Sequence, residues 1–169
     1  MISIGDMVEL LQDAAEPTDG LNNRLAYVLG WTFTGLLGAY PGDHDEWDIL
    51  CDIAGCWVKP GDVEPDILNK AEYRGGQAAG RWDAPPFWLG SVEEALGLLG
   101  NRLTLSSPEM KVGDYTYDIM RTFPGVHRVR LYRAGIAEPA ATGQHDYNLS
   151  MAVVIALLNE LARGRHEPV

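Results

Sequence analysis

Apolar residues recur at helical spacing over 4–15, IGDMVELLQDAA, where Ile4, Met7, Val8, Leu11 and Ala15 share one stripe. Ser3 with Asp6 has the form of an N-terminal cap. The run EPTDG at 16–20 breaks the pattern, and a second helix follows with Leu21, Leu25, Val28 and Leu29 apolar. Gly30 stands where a left-handed residue would end that helix. From Trp31 to Trp82 the patterning is weak. Residues 46–54 and 65–70 read as short helical pieces, and 75–80 as a glycine-rich loop. Such a stretch inside a domain is usually functional or mobile, so 42–82 reads as a long irregular insertion.

The pattern sharpens again at 84–99, APPFWLGSVEEALGLL. Ser91 and Glu94 form a capping box, Val92, Ala95, Leu96 and Leu99 supply a buried stripe, and Gly100-Asn101 should stop the helix. Pro85-Pro86 stiffens the approach, Phe87 or Trp88 can plug the core, and one of Phe87 to Leu89 can staple onto the first turn. Three runs then alternate or are rich in aromatics: RLTLS at 102–106, YTYDIMR at 115–121 and RVRLYR at 128–133. Pro108 and the Phe123-Pro124-Gly125 turn separate them, which predicts a three-stranded antiparallel meander. AEPAATGQHDY at 137–147 reads as a loop of small residues. Residues 148–163 are apolar on more than one face, which predicts a central, buried helix.

The fold expected is therefore α+β. Helices sandwich a small, mainly antiparallel sheet of three to four strands in a single domain, 1–169. The chain of 169 residues is 46% hydrophobic and 22% charged, an ordinary balance for one globular core. A domain of this size buries roughly 70% of the surface its unfolded chain exposes, so it needs no metal or disulfide to fold. The formal charge of -11 argues against non-specific nucleic-acid binding. MISIGDMVELLQ lacks a basic and an apolar leader region, and no apolar run is long enough to span a bilayer. A cytoplasmic setting with reduced Cys51 and Cys56 follows as an expectation.

Several constellations invite chemistry. Cys51 and Cys56 with His44 resemble a zinc half-site, but the spacing and the lack of a clear fourth ligand favour thiols that simply pack. Asp43, Asp45, Glu46, Asp48 and Asp52 crowd five acids into ten residues without the spacing of a calcium loop, and read as a solvated loop. His145, Asp146 and Ser150 carry the letters of a hydrolase triad in an order that fits no nucleophile elbow. Asp146 and Asn148 read instead as caps for the last helix. No catalytic residue, metal site or cofactor is therefore expected.

The most unusual local feature is Arg121, His127, Arg128, Arg130 and Arg133, with no acid between Asp118 and Glu138. Strand alternation puts Arg128, Arg130 and Tyr132 on one face and Val129 and Leu131 on the other. This is either the wet face of a sheet or an anion site with Arg forks for phosphate and an aromatic for a base. The candidate ligand-binding residues are Arg121, Arg128, Arg130, Tyr132, Arg133 and Trp82. The five tryptophans, Trp31, Trp47, Trp57, Trp82 and Trp88, either pin the central region to the core or form a partner surface.

Taken in order, several motifs resemble the phage ABA sandwich domain family of bacteriophages and prophages. They are Leu21, Leu25, Ala26, Leu29, Gly30 and Trp31; Pro85, Pro86 and Phe87; Ser91 to Leu96; Ala140, Ala141 and Thr142; and the helix from Leu149 to Leu161. The chain departs from that pattern at Phe87-Trp88-Leu89, where Tyr-Ser or Tyr-Thr is usual, and at His145-Asp146-Tyr147, where Pro is common. The resemblance implies an α-β-α sandwich and a phage accessory role, with no assigned activity. A partner protein or small anionic ligand, held by a monomer or a homo-oligomer, completes the expectation. One specific form would be an anti-defence protein that sequesters a phosphorylated nucleotide signal.

Overall fold

Among the described residues of the structure, a computed structural model, there are four helices and seven short strands, the strands forming two sheets. It describes residues 2–35, 38–40, 55–60, 81–82, 84–103, 114–122 and 125–164. The α+β class expected from the sequence is the class observed. No described helix is long and apolar enough to cross a membrane. The chain divides into two units, one of residues 1–3 and 19–86, the other of 4–18 and 87–169.

In the first unit, α2 (Asp19–Val28) buries Leu25 and Ala26. It ends as Gly30 predicts: Gly30 has φ 90°, its N–H donates to the Tyr27 carbonyl, and the Trp31 N–H reaches back to Ala26. That pair of bonds satisfies carbonyls the helix would leave open. The Asn22 side-chain amide donates to the Pro86 carbonyl at 2.9 Å and ties the proline run to α2.

The region read as irregular contains an antiparallel sheet instead. Its strands are β1 (Thr32–Gly35), β2 (Gly38–Tyr40), β3 (Gly55–Val58) and β4 (Arg81–Trp82), in the order β2-β1-β3-β4. Phe33 lies opposite Trp57, and their rings meet edge to face at 5.4 Å. Trp57 is only 2% exposed, so it pins this sheet and offers no partner surface. Strands of two to four residues are too short to show alternation, which is why the pattern looked weak. The helices expected at 46–54 and 65–70, the loop at 75–80, the acidic run, His44 and Cys51 lie outside the described residues.

The second unit is built on α4 (Leu149–Gly164), which is buried from Ser150 through Leu158 and again at Glu160. Asn148 caps it, accepting from the Met151 N–H at 2.9 Å. Packed on α4 are α1 (Ile4–Asp13), α3 (Val92–Arg102) and a three-stranded sheet of β5 (Tyr115–Thr122), β6 (Val126–Arg133) and β7 (Ala141–Asp146), ordered β5-β6-β7. The helix α3 starts as expected, with Ser91 Oγ accepting from the Glu94 N–H. It does not stop at Gly100-Asn101 but runs on to Arg102, with Leu103 closing on the Leu99 carbonyl. Trp88 and Leu89 are buried, whereas Phe87 is exposed and lies over Gly90.

The meander also differs from expectation. Arg102 is helical and 104–106 lie outside the described residues, while the third strand, β7, comes from the stretch read as a loop. Ala141, Gly143 and His145 face α4, while Thr142, Gln144 and Asp146 are exposed. The alternation is there, but its inward residues are too small or too polar to announce a strand. Gly143 is where the strand and α4 come closest: a Cβ built on it would sit 2.1 Å from the Ala152 carbonyl oxygen and 2.3 Å from the Ala156 nitrogen.

Candidate functional site

Alternation along β6 separates its side chains into two faces. Val129 and Leu131 are buried toward α4, while Arg128, Arg130 and Tyr132 point outward, as the sequence predicts. Pairing with β5 and β7 extends that outer face. Asp118 stands opposite Arg130, Met120 and Gln144 opposite Arg128, and Thr116 opposite Tyr132.

Two guanidinium arrangements lie side by side there. Arg130 Nε and Nη2 meet the two Asp118 oxygens at 2.9 and 2.5 Å, a fork-on-fork pair. The Tyr132 hydroxyl donates to Asp118 Oδ2 at 3.0 Å, and the Arg130 guanidinium lies 5.7 Å from the Tyr132 ring centre, within cation–π range. Arg128 instead grips a neutral group: its Nε and Nη2 both donate to Gln144 Oε1, at 3.2 and 2.8 Å. No acidic side chain pairs with Arg128 among the described residues. Its charge is therefore oriented but not neutralised by any described acid.

The electrostatics follow from this geometry. The Arg130 hydrogen bonds hold the Asp118 carboxyl below its ordinary range, against the opposing effect of burial and with help from the Tyr132 hydroxyl. Asp118 in turn raises Arg130 further. Desolvation first, and the Asp118 bond second, push the Tyr132 phenol up. A carboxylate whose folded pKa is depressed adds stability above its unfolded pKa of about 4, and loses it as pH falls through the lower folded value. Thermal melts below about pH 4 should therefore show wild type losing more stability than Asp118→Asn. The difference should be modest and should shrink in salt, because the pair is solvated. Parallel melts would contradict the pairing.

The other candidates lie elsewhere. Arg133 is on the α4 side of β6, where its Nε and Nη2 donate to Glu160 Oε1 at 3.0 and 2.7 Å. The Tyr115 hydroxyl donates to the same oxygen at 2.6 Å. Burial, then that carboxylate, push the Tyr115 phenol above its usual range. Arg121 is opposite His127, also on the α4 side, and is exposed. Trp82 belongs to β4 in the other unit, and its side chain is outside the described residues. Arg133 also borders a hollow of about 250 Å³ at the β6–β7 connection, with Ile136, Glu138, Pro139, Ala140 and Arg163. There Arg163 donates to the Ala140 carbonyl.

His145, Asp146 and Ser150 do not converge. The buried His145 ring sits with Nε2 2.9 Å from the Ala14 carbonyl oxygen, and Asp146 is on the opposite face of β7. No group of three metal-ligating side chains occurs among the described residues.

On the outer face, the sequence reading leaves out two partners, Asp118 and Gln144. Asp118 was within reach. Antiparallel pairing of 115–122 with 126–133 matches positions that sum to 248, which sets Asp118 against Arg130. Gln144 required β7 to be recognised as a strand. Comparison with protein-family models, curated proteins and solved structures finds no match to this chain.

Proposed function

We propose that this chain is a phage or prophage accessory protein that acts by binding, and that its binding surface is the outer face of β5–β6–β7. The observation that carries the binding reading is Arg128. Its guanidinium is held in place by Gln144, carries a charge that no described acid offsets, and lies on an exposed strand face. A guanidinium so placed presents its remaining N–H groups to an anion at little ordering cost. The phage setting rests on the ordered motifs from LNNRLAYVLGW to the final helix.

Within this reading, a phosphorylated nucleotide is the small ligand the chemistry favours. Arg128 offers a fork for phosphate, and the Tyr132 ring with its overlying Arg130 offers a flat neighbour for a base. A thermal-shift screen against mono-, di- and cyclic nucleotides tests it. A true ligand at a hundredfold excess over its dissociation constant stabilises by about 2.7 kcal/mol. That is a rise of roughly 5–10 °C for a chain of this length. The rise should vanish in Arg128→Ala. No rise with any nucleotide would overturn the nucleotide reading. A rise that survives Arg128→Ala would overturn the site.

A further inference from the structure

We infer that the outer edge of β5 is a self-association surface, and that its occupant is the β5 strand of a second copy of this chain. Among the described residues β5 pairs only with β6, through eight unbroken positions from Tyr115 to Thr122. Natural edge strands are usually short, bulged, or guarded by lysine or proline, because an open edge recruits another strand. YTYDIMRT is eight residues long, unbulged and without lysine or proline, and of its two charged residues only Arg121 is free of an ion pair on this sheet among the described residues. Tyr117, Ile119 and Met120 are 39%, 41% and 37% exposed. Asp118, the acid on this strand, is turned onto Arg130.

The strand is also complementary to itself. A two-fold axis normal to the sheet keeps the α4-side faces of both copies together, so opposed residues must be of the same parity. Centring that axis on Ile119 aligns Thr116 to Thr122 with their counterparts. Ile119 then meets Ile119, Tyr117 meets Arg121, Asp118 meets Met120 and Thr116 meets Thr122. Each is a favourable or neutral cross-strand pair, and Tyr117 with Arg121 is a cation–π pair made twice. Moving the axis to Asp118 sets two carboxylates face to face. Moving it to Met120 or Tyr117 pairs only five residues. The sheet becomes six-stranded, with both outer faces on one side. A contact of eight-residue strands is smaller than the roughly 1,200–2,000 Å² of a standard stable interface, so the dimer should dissociate on dilution.

Sedimentation equilibrium over a range of concentrations tests this. Wild type should approach twice 18.5 kDa at high concentration. Ile119→Lys, which places like charges on the axis at a position exposed in the monomer, should stay monomeric with an unchanged near-ultraviolet circular dichroism spectrum. Met120→Lys should still dimerise, because it meets Asp118. Hydrogen exchange on wild type needs no variant: the β5 amides that point away from β6 should lose protection on dilution. A wild-type chain that stays monomeric throughout overturns the proposal. So does a chain whose outward β5 amides stay protected at every dilution, since another segment of the same chain must then cover the edge. A Met120→Lys monomer beside an Ile119→Lys dimer overturns it as well.

Discussion

Gly143→Ala should destabilise the protein by about 3 kcal/mol or more, the upper end of what overpacking costs. A single methyl group is added, but it has nowhere to go. Its nearest neighbours would be the Ala152 carbonyl oxygen at 2.1 Å and the Ala156 nitrogen at 2.3 Å, both backbone atoms that no rotamer change can move. Either α4 or β7 must shift, and α4 is the helix on which α1, α3, β6 and β7 all pack. The same substitution at Gly97 is the internal control. That glycine lies mid-helix in α3, and nothing within 4 Å would meet its Cβ. Gly97→Ala should stabilise by about 0.5–1 kcal/mol through helix propensity alone. Urea denaturation of both variants reads the two signs. A Gly143→Ala protein as stable as wild type would mean that β7 does not lie on α4 as described.

Removing Arg133 should be nearly as costly, for an electrostatic reason. Glu160 is 3% exposed, and one of its oxygens accepts from Arg133 and from Tyr115. The other oxygen is buried with no partner among the described residues. Taking away the guanidinium leaves a buried carboxylate without its counter-charge. Breaking fully buried pairs in this way costs about 3–5 kcal/mol. The Arg133 side chain is 36% exposed, so water softens the loss, and about 3 kcal/mol is the expected value for Arg133→Met. Glu160→Gln in the same background should recover most of it, because the unpaired charge is then gone while Tyr115 keeps an acceptor. A double-mutant cycle on these two positions isolates the coupling. If Arg133→Met alone is neutral, the pair contributes nothing to the fold.

This pair also shows what the sequence did not reveal. Nearness in the chain groups Arg133 with the other arginines. The strand's two-residue period sends it to the opposite face, and alternation from Val129 and Leu131 already implied that. Glu160 gave a matching signal: a lone acid within a helix apolar on most sides needs a cation, and a helix packed on β6 finds one there. What was legible came from strong local physics, namely the apolar breadth of α4, the Ser91 cap, the Gly30 stop and the β6 alternation. What was not legible came from weak local signals settled by tertiary context. The strands β1 to β4 are too short to show a period. In β7 the inward residues are Ala141, Gly143 and His145, chosen for closeness to α4 and not for hydrophobicity. The geometry of the arginine cluster is half legible in the sequence. Alternation gives the face and the hairpin length gives Asp118 for Arg130, but Gln144, which holds Arg128, emerges only once β7 is placed beside β6.

The most direct test of the binding account is a nuclear magnetic resonance titration of the labelled protein with ADP, and in parallel with inorganic pyrophosphate. The account expects both ligands to perturb the Arg128 side-chain Nη–H groups and the backbone amides around Arg128, Arg130 and Gln144. ADP should add changes near Tyr132. Perturbations confined to the α4 side of the sheet, or Arg128 Nη–H groups unmoved at saturation, would contradict it.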